Sequence, residues 1–304
     1  MYANGMYIQS ALKSDRLCAS LTGLRVTEFN DLVPQFANNL KEYWITLRDD
    51  RQRKIGAGRK GKLPTTEEKL FAALMYLKVY PTFDVFGFHM GCNRSQAKRW
   101  IDHLFPVLEM TLKRKLVLPK RKITSVEEFE RLFPEIKEIM VDATERKIQR
   151  PRNKKRQNKT YSGKKKLHAK KNIIVSDKNK KVLLVSATRS ARRHDKRLAD
   201  KDILFERIPE DVEVFVDTGF MGVKQKHHNT FIPTKRTKGK PLTQEQKQWN
   251  KLISSIRIPI ENAIGGIKRY QAVTQTFRNK KEELADTFIL LSAGLWNYHL
   301  QFSS

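Results

Sequence analysis

The sequence predicts an α/β protein in which an all-helical N-terminal region precedes a core built on a mixed sheet. Two observations support this fold class. Between residues 26 and 104, apolar side chains recur at helical spacing. From residue 138 onward, short apolar runs alternate with basic loops and helical stretches, a pattern typical of a sheet with helices beside it. The expected division is a helical region at 1–106, a linker at 107–136 and the α/β core at 137–304.

The charge of the chain limits its partners. The 61 Lys and Arg residues outnumber the 32 Asp and Glu residues, which gives a net charge of +29, and the sequence pI is about 10.1. Such an excess predicts binding to a polyanion. With 39% hydrophobic residues the chain is expected to be globular.

Cysteine usage and hydropathy predict the compartment. Only two cysteines occur, and no apolar signal segment opens the chain. The longest apolar stretch, 288–300, is interrupted by polar residues and is too short to cross a bilayer. A cytoplasmic protein without a membrane partner is therefore expected.

The helical region begins with a helix predicted over 26–49, after the candidate cap Thr27. The segment that follows it, Arg51–Lys62, is rich in Lys and Arg and contains three glycines. This composition favours a linker or a loop that follows the phosphates of DNA.

A helix-turn-helix pattern comes next. A capping box at Thr65–Glu68 predicts a helix that Pro81 ends. Thr82 caps a second, short helix through about Met90, and a turn leads into a third helix from Arg94 to about residue 104.

The third of these helices has an apolar and a polar side. Ala97, Ile101 and Leu104 are expected to face inward. The side chains then left to contact bases or phosphates are Arg94, Gln96, Lys98 and Arg99. An ordinary three-helix bundle is the alternative, and the surrounding positive charge favours DNA binding.

Two apolar runs of the core each end on an aspartate. They are 139–142, ending at Asp142, and 214–217, ending at Asp217, and a long helix predicted over 249–270 carries Glu261. A buried strand gains nothing from a carboxylate at its end, whereas a two-metal phosphoryl-transfer site needs anionic oxygen ligands on rigid elements. The three acids therefore predict a divalent-metal site, with Mg²⁺ as its occupant.

Other polar residues of the core are weaker candidates. Four further acids could be metal ligands, but unlike Asp142 and Asp217 they do not end an apolar run: Glu145, Asp177, Asp195 and Asp211. His168 and His194 could orient a phosphate or a water, although a surface role is the expectation for each.

The remaining core elements are expected in a regular order. Arg146–Lys171 carries thirteen Lys or Arg and no acid, so it is expected to be a loop that becomes ordered on a nucleic-acid backbone. Strands are predicted at 172–176, 182–186, 212–216 and 231–233, and a helix at 195–202.

Four ordered motifs carry a resemblance to a known family. They are VDATE at 141–145, YSGKKK at 161–166, DTGFMG at 217–222 and IPIEN at 258–262. Together they resemble the DDE transposases of bacterial insertion sequences, in the family numbered five, over nearly the whole chain. The resemblance implies a ribonuclease H-like catalytic core whose metal-binding triad falls on Asp142, Asp217 and Glu261.

The resemblance also implies an activity and its cofactors. These are cut-and-paste transposition, with two Mg²⁺ ions or Mn²⁺ as a substitute, on the terminal inverted repeats of the element and on target DNA. A homodimer or larger synaptic complex in the bacterial cytoplasm, associated with the nucleoid, is expected. Arg257 and Lys268 match the spacing of basic residues that accompany the glutamate, although Ser254 replaces the tyrosine of that signature.

Further DNA contacts are expected from the basic segments. The residues are Arg59, Lys60, Lys62, Lys164, Lys165, Lys166 and His168. The alternatives are a domesticated, catalytically silent DNA-binding protein, an RNA-associated protein and a nuclease that cuts without joining. Sparse aromatic residues in the basic runs disfavour RNA.

Overall fold

The chain divides into two compact units in a computed structural model that describes residues 4–47, 61–163, 165–279 and 281–303. The first unit comprises 1–118, 268–275 and 297–304. The second comprises 119–267 and 276–296. Arg59 and Lys60, most of the predicted linker Arg51–Lys62, and Lys164 lie outside the described residues.

The first unit is helical, as predicted. Its helices are α1 (Asn4–Ala11), α2 (Asp15–Thr22), α3 (Val26–Thr46), α4 (Thr66–Val79), α5 (Phe83–His89), α6 (Arg94–Arg114) and, late in the chain, α12 (Gln271–Thr274). Helix α3 packs on α6 and α4, and α5 packs on α6. Buried Phe29, Phe36, Leu74 and Leu104 belong to the core of this unit.

Caps set the boundaries of the helix-turn-helix. Thr65 and Glu68 form the predicted capping box at the start of α4. Thr82 caps α5, and the Asn93 side chain accepts a 2.9 Å hydrogen bond from the Gln96 amide at the start of α6. Helix α6 continues to Arg114, beyond the predicted end near residue 104, because its apolar stripe continues and Pro106 does not end it.

The second unit is a sheet with helices on both faces. Its elements are α7 (Val126–Leu132), β1 (Glu138–Lys147), α8 (Lys154–Thr160), β2 (Tyr161–Ser162), β3 (Leu167–Ser176), β4 (Val182–Val185), β5 (Arg189–Ser190), α9 (Asp195–Lys201), β6 (Glu213–Val216), β7 (Thr230–Phe231), α10 (Gln244–Ile256) and α11 (Ile258–Ile267). Helix α13 (Glu283–Leu300) begins in this unit and ends in the first.

The sheet is mixed, which agrees with the predicted class. The strand order is β2-β3-β1-β6-β7, and β4 and β5 also pair with β3. Strand β1 is antiparallel to β3 and parallel to β6, and β6 is parallel to β7. The predicted hairpin of β3 and β4 is present and antiparallel.

Strand β1 corrects one expectation. The sequence predicted that the strand ends at Asp142, but β1 continues to Lys147 because β3 pairs with it over 140–147. Only the parallel pairing with β6 ends there, with Val141 opposite Val216 as its last pair. Asp142 therefore lies inside a strand and at the end of its contact with β6.

Two other predicted elements differ from the structure. The predicted basic loop 146–171 contains α8, β2 and the start of β3 in its described residues, because pairing with β1 orders the chain from residue 167. The predicted long helix 249–270 is two helices, α10 and α11, with Arg257 between them. Neither difference was visible in the composition of these segments.

The two faces of the sheet have different partners. Ile139 and Val141 of β1 belong to a buried cluster with Leu198 of α9 and Phe205. Alternate residues of a strand point to opposite faces, so Asp142 and its even-numbered neighbours face the other way. Helix α11 packs against β1 and β3. Among the described residues, no helix combines the length and the apolar character that crossing a membrane requires.

Candidate active site

Asp142 and Asp217 are neighbours at the point where the parallel pairing of β1 and β6 ends. Each follows a residue of the last β1–β6 pair, Val141 opposite Val216. Adjacent strands lie about 4.8 Å apart, so this register brings the two backbones together where the pairing of these central strands ends. The Asp217 side chain also accepts a 2.8 Å hydrogen bond from the Gly219 amide, which fixes the turn after β6.

Asp142 is paired with an arginine. Arg257 Nη2 donates a 3.1 Å hydrogen bond to Asp142 Oδ2, and the side chains are only 10% and 23% exposed. Burial raises the pKa of Asp142, Arg257 opposes this shift, and the nearby carboxylates of Asp217 and Asp195 reinforce it. Burial is therefore the main reason why the charged form of Asp142 is costly at this position.

Glu261 lies one helical turn after Arg257. The Glu261 amide donates to the Arg257 carbonyl at 3.5 Å, and the Glu261 side chain is exposed on α11. Ile260 and Ile264 of the same helix are buried, as the predicted stripe requires. Within the part of the chain that is described, no three His, Cys, Asp or Glu side chains are arranged to hold a metal ion.

A buried lysine links two further acids. Lys171 of β3 pairs in register with Glu145 of β1. Its ammonium lies 3.1 Å from Glu145 Oε1 and 2.8 Å from Asp195 Oδ1, and it donates to the Arg193 carbonyl at 3.2 Å. Burial alone would lower the pKa of Lys171, but Asp195 and Glu145 raise it above its ordinary value. This ammonium ion is therefore held in its charged form.

Gly219 is where Asp195 and Asp217 approach each other. A Cβ atom on Gly219 would lie 2.7 Å from Asp195 Oδ2 and 2.9 Å from Asp217 Oδ1. Both carboxylates therefore occupy space that any side chain at this position would need.

These groups line an open cleft of about 1020 Å³. Its acidic residues are Glu145, Asp195 and Asp217, and its basic residues are Lys171, Arg192, Arg193, Lys196, Arg197 and Lys235. Asp142 and Glu261 do not line it. A concave surface with carboxylates inside and many cations around them suits a phosphate backbone.

Comparison with known proteins identifies the family. Residues 141–297, about half of the chain, match the model of the DDE superfamily endonuclease. The chain belongs to the DDE superfamily of endonucleases. Residues 61–114 match the helix-turn-helix of the same superfamily. The expected resemblance to DDE transposases and the prediction of a DNA-cleaving, DNA-binding enzyme with a ribonuclease H-like core are thereby confirmed.

One relative is similar over most of its length. A protein of Microchaete diplosiphon, described as a probable transposase for insertion sequence element IS702, is 28% identical over 255 residues, which cover 84% of this chain and 87% of the relative. No solved structure gives a significant match.

DDE superfamily endonucleases are metal-dependent, and the residues present suit a divalent cation. Asp142 and Asp217 offer carboxylate oxygens, the ligands that Mg²⁺ prefers. Glu145 Oε2 is buried in the cleft and has no hydrogen-bond partner, so one more anionic oxygen lacks a counterpart. The type of donor therefore suits Mg²⁺, whereas the described side chains do not converge on one point as a bound metal ion requires.

The weaker acid candidates separate clearly in this DDE endonuclease. Glu145 and Asp195 both line the cleft and contact Lys171, a residue that was not predicted from the sequence. Asp177 accepts from the Lys181 amide in the hairpin turn, and exposed Asp211 pairs with Lys137. Glu145 lies directly opposite Lys171 in the register of β1 and β3, and only that strand pairing reveals the contact.

The predicted DNA-contacting residues of the helix-turn-helix lie on its surface. Arg94 and Arg99 are exposed on α6, and Gln96 and Lys98 are half-buried. Arg94 lies 3.7 Å from Asp84, and Lys98 pairs with Asp102. Lys62 is exposed. Ala97, Ile101 and Leu104 are buried, as predicted.

The other predicted contacts are distributed over both units. In the second unit Lys165 and Lys166 are exposed, and His168 Nδ1 lies 3.1 Å from Thr160 Oγ1. Arg257 is buried against Asp142, so it is not on the open surface in this structure. Lys268 is half-buried in the first unit.

Proposed function

We propose that the protein is a transposase that binds the terminal inverted repeats of its element, cleaves DNA at the element ends and joins the 3′ ends to target DNA. The observation that carries this proposal is the register of β1 and β6, which brings Asp142 and Asp217 together in a DDE endonuclease. The helix-turn-helix match and the IS702 relative support it.

The metal-binding residues in this proposal are Asp142, Asp217 and Glu261. When bound, two Mg²⁺ ions would supply activation of the attacking water or 3′-hydroxyl and stabilisation of the leaving oxygen. Arg257 holds the Asp142 carboxylate in position through its 3.1 Å hydrogen bond. Asp217 is fixed from the other side by the Gly219 amide.

DNA binding is divided between two surfaces. We assign end recognition to the exposed side of α6, with Arg94, Gln96, Lys98 and Arg99. Lys165 and Lys166 of the second unit contact phosphates, together with the basic residues of the cleft. A net charge of +29 makes binding steeply salt-dependent.

Two copies are required at least. An element has two ends, and both must be cut and joined to one target. We therefore propose a homodimer or a larger synaptic complex as the active species.

The test combines labelled DNA that carries the flanks of the gene with a supercoiled target, in Mg²⁺ or in chelator. Wild type should give metal-dependent cleavage followed by joined product. Asp142→Asn and Asp217→Asn should bind the ends and give neither product. Asp211→Asn, an exposed acid of the same unit, is the matched control and should act like wild type.

Other results would change the assignment. Cleavage without joining would indicate a nuclease, and specific binding without cleavage would indicate the domesticated DNA-binding protein. Full cleavage by Asp142→Asn would rule out the proposed site.

A further inference from the structure

The cleft is lined by more cations than its own acids can pair with. Lys171 contacts two of the three acids, with its ammonium 3.1 Å from Glu145 Oε1 and 2.8 Å from Asp195 Oδ1. Four other basic residues of the lining are exposed: Arg192, Arg193, Arg197 and Lys235. Among the described residues, no acid forms an ion pair with any of these four. Their positive charge is therefore available to an anion that enters from solvent.

The lining also includes an exposed tyrosine. Tyr161 is 44% exposed although it lies in strand β2. It pairs with His168 of β3, and the two rings make an edge-to-face contact with their centroids 5.7 Å apart. The next residue, Ser162, is buried, and its hydroxyl accepts a 3.3 Å hydrogen bond from the Lys165 amide. The sheet therefore holds the Tyr161 ring in place before any ligand binds.

We propose that the cleft binds a nucleotide of the element DNA whose base is unpaired, and that this base stacks on Tyr161 while the adjacent phosphates contact the four exposed cations. The inference deepens the proposed function and rests on it, since it names the form in which DNA enters the cleft that Asp217 also lines.

The size of the cleft excludes a double helix from its interior. Its volume is about 1020 Å³. A cube of that volume has edges of about 10 Å, whereas the major groove of B-DNA alone is about 12 Å wide. A duplex therefore lies across the mouth, and only an extruded nucleotide reaches inside.

Stacking on Tyr161 also requires an unpaired base. Bases inside a duplex have both faces covered by their neighbours, so an aromatic side chain can stack only on a base that has left the helix. An aromatic ring among cations is the combination that binds single-stranded nucleic acid, because every base has a π face and every nucleotide a phosphate. Tyr161 is the first residue of the YSGKKK motif at 161–166, which contains no residue of the proposed triad. Stacking gives this residue a role.

A contact between the Tyr161 hydroxyl and a phosphate is the competing explanation. The two explanations differ in what phenylalanine does at this position. Tyr161→Phe retains the ring face that stacks on a base, but it has no hydroxyl to donate to a phosphate. A phosphate contact would therefore be lost in this variant, whereas stacking would be retained.

The experiment measures the affinity of the full-length protein for three versions of one end duplex, by fluorescence anisotropy in chelator. The first duplex is fully paired, the second carries one unpaired thymine near the cleavage junction, and the third has an abasic site in place of that thymine. The position is moved across the junction one nucleotide at a time. Where the nucleotide enters the cleft, wild type should bind the unpaired thymine about fivefold to a hundredfold more tightly than the abasic site.

Three variants and a control test the role of the ring. Tyr161→Ala should remove the preference for thymine over the abasic site, and Tyr161→Phe should retain it. Arg197→Ala should weaken binding to all three duplexes equally, because each contains the same phosphates. Tyr7→Ala is the matched control, a tyrosine that is 66% exposed on α1 of the other unit, and should act like wild type. A preference that survives in Tyr161→Ala, or that is lost in Tyr161→Phe, would overturn the inference.

Failure of this inference is distinguishable from failure of the proposed function. If wild type binds the end duplex more tightly than a random duplex but prefers the unpaired thymine at no position, stacking on Tyr161 is ruled out and end recognition stands. If wild type binds end and random duplexes equally, end recognition fails, and the proposed function fails with it.

Discussion

Arg257 Nη2 donates a 3.1 Å hydrogen bond to Asp142 Oδ2. Arg257 lies between helices α10 and α11, and Asp142 lies inside the central strand β1. The bond ties α10 and α11 to β1 at the point where the β1–β6 pairing ends. Glu261 follows one turn later on α11, so the same bond sets the distance between this helix and the aspartates. The position of the third acid therefore depends on Arg257.

Asp142→Asn should stabilise the protein at neutral pH in the presence of chelator. Burial raises the pKa of Asp142 above 3.8 despite Arg257. A raised pKa means that this group favours folding below its unfolded pKa and loses that contribution as the pH rises through its folded pKa. Asparagine removes the cost of the buried charge, and Tm should increase by on the order of a few degrees at pH 7. The increase should disappear near pH 3.5 in calorimetric scans, and a lower Tm at pH 7 would contradict the argument.

Gly219→Ala should impair cleavage and leave DNA binding intact. The new Cβ would lie 2.7 Å from Asp195 Oδ2 and 2.9 Å from Asp217 Oδ1, so at least one carboxylate must move. A shift of this size in a catalytic group lowers rates by about tenfold to a hundredfold. The control is Gly265→Ala on α11, where a Cβ meets nothing within 4 Å. Equal single-turnover cleavage rates for the two variants would show that Gly219 has no such role.

Asp286→Asn should destabilise the protein in a pH-dependent way. Asp286 Oδ1 accepts a 2.8 Å hydrogen bond from the Thr188 amide and pairs with Arg121. Burial raises the pKa of Asp286, but these partners outweigh it and lower the pKa below 3.8. The stabilising contribution is therefore present above pH 3.8 and is lost as the pH falls through the folded pKa.

The expected loss for Asp286→Asn is about 1 kcal/mol at pH 7, because the side chain is more than a third exposed and solvent screens the pair. Urea unfolding at pH 7 and at pH 3 measures it, and the difference from wild type should shrink at pH 3. A loss that stays constant between the two pH values would assign the effect to packing.

Arg99→Ala should weaken DNA binding through the helix-turn-helix. Arg99 is exposed on α6, and its guanidinium can contact a phosphate or a base edge. Loss of one phosphate contact should reduce the slope of log K against log salt by about 1. Lys113→Ala, exposed near the other end of the same helix, is the control. Fluorescence anisotropy across a salt series on specific and random duplexes separates base reading from phosphate contact.

The helical half was predictable because its signals are local. Thr65, Glu68, Thr82 and Asn93 cap helices that begin where the sequence predicts. A cap acts within one turn, so no knowledge of distant residues is needed. The end of α6 was missed because no residue there stops a helix.

In the α/β unit, the sequence predicted the elements that do not depend on pairing between distant strands. The apolar runs that end at Asp142 and Asp217 predicted two strands, but their register needed the sheet. Lys171 looked like one cation among thirteen in a basic loop, and it is buried because β3 pairs with β1 and places it opposite Glu145. Glu145 and Lys171 are 26 residues apart in the sequence, and the local composition around either residue does not indicate that they pair.

The central place of β1 has a consequence for exchange of backbone hydrogens. Met140 and Val141 are paired on one side with β3 and on the other with β6. Their amides can reach solvent only when the sheet itself separates, so deuterium uptake there should occur only with global unfolding. The proposed catalytic aspartate is therefore attached to the slowest-opening part of its unit, and the surrounding helices and loops can vary in sequence while it stays in place.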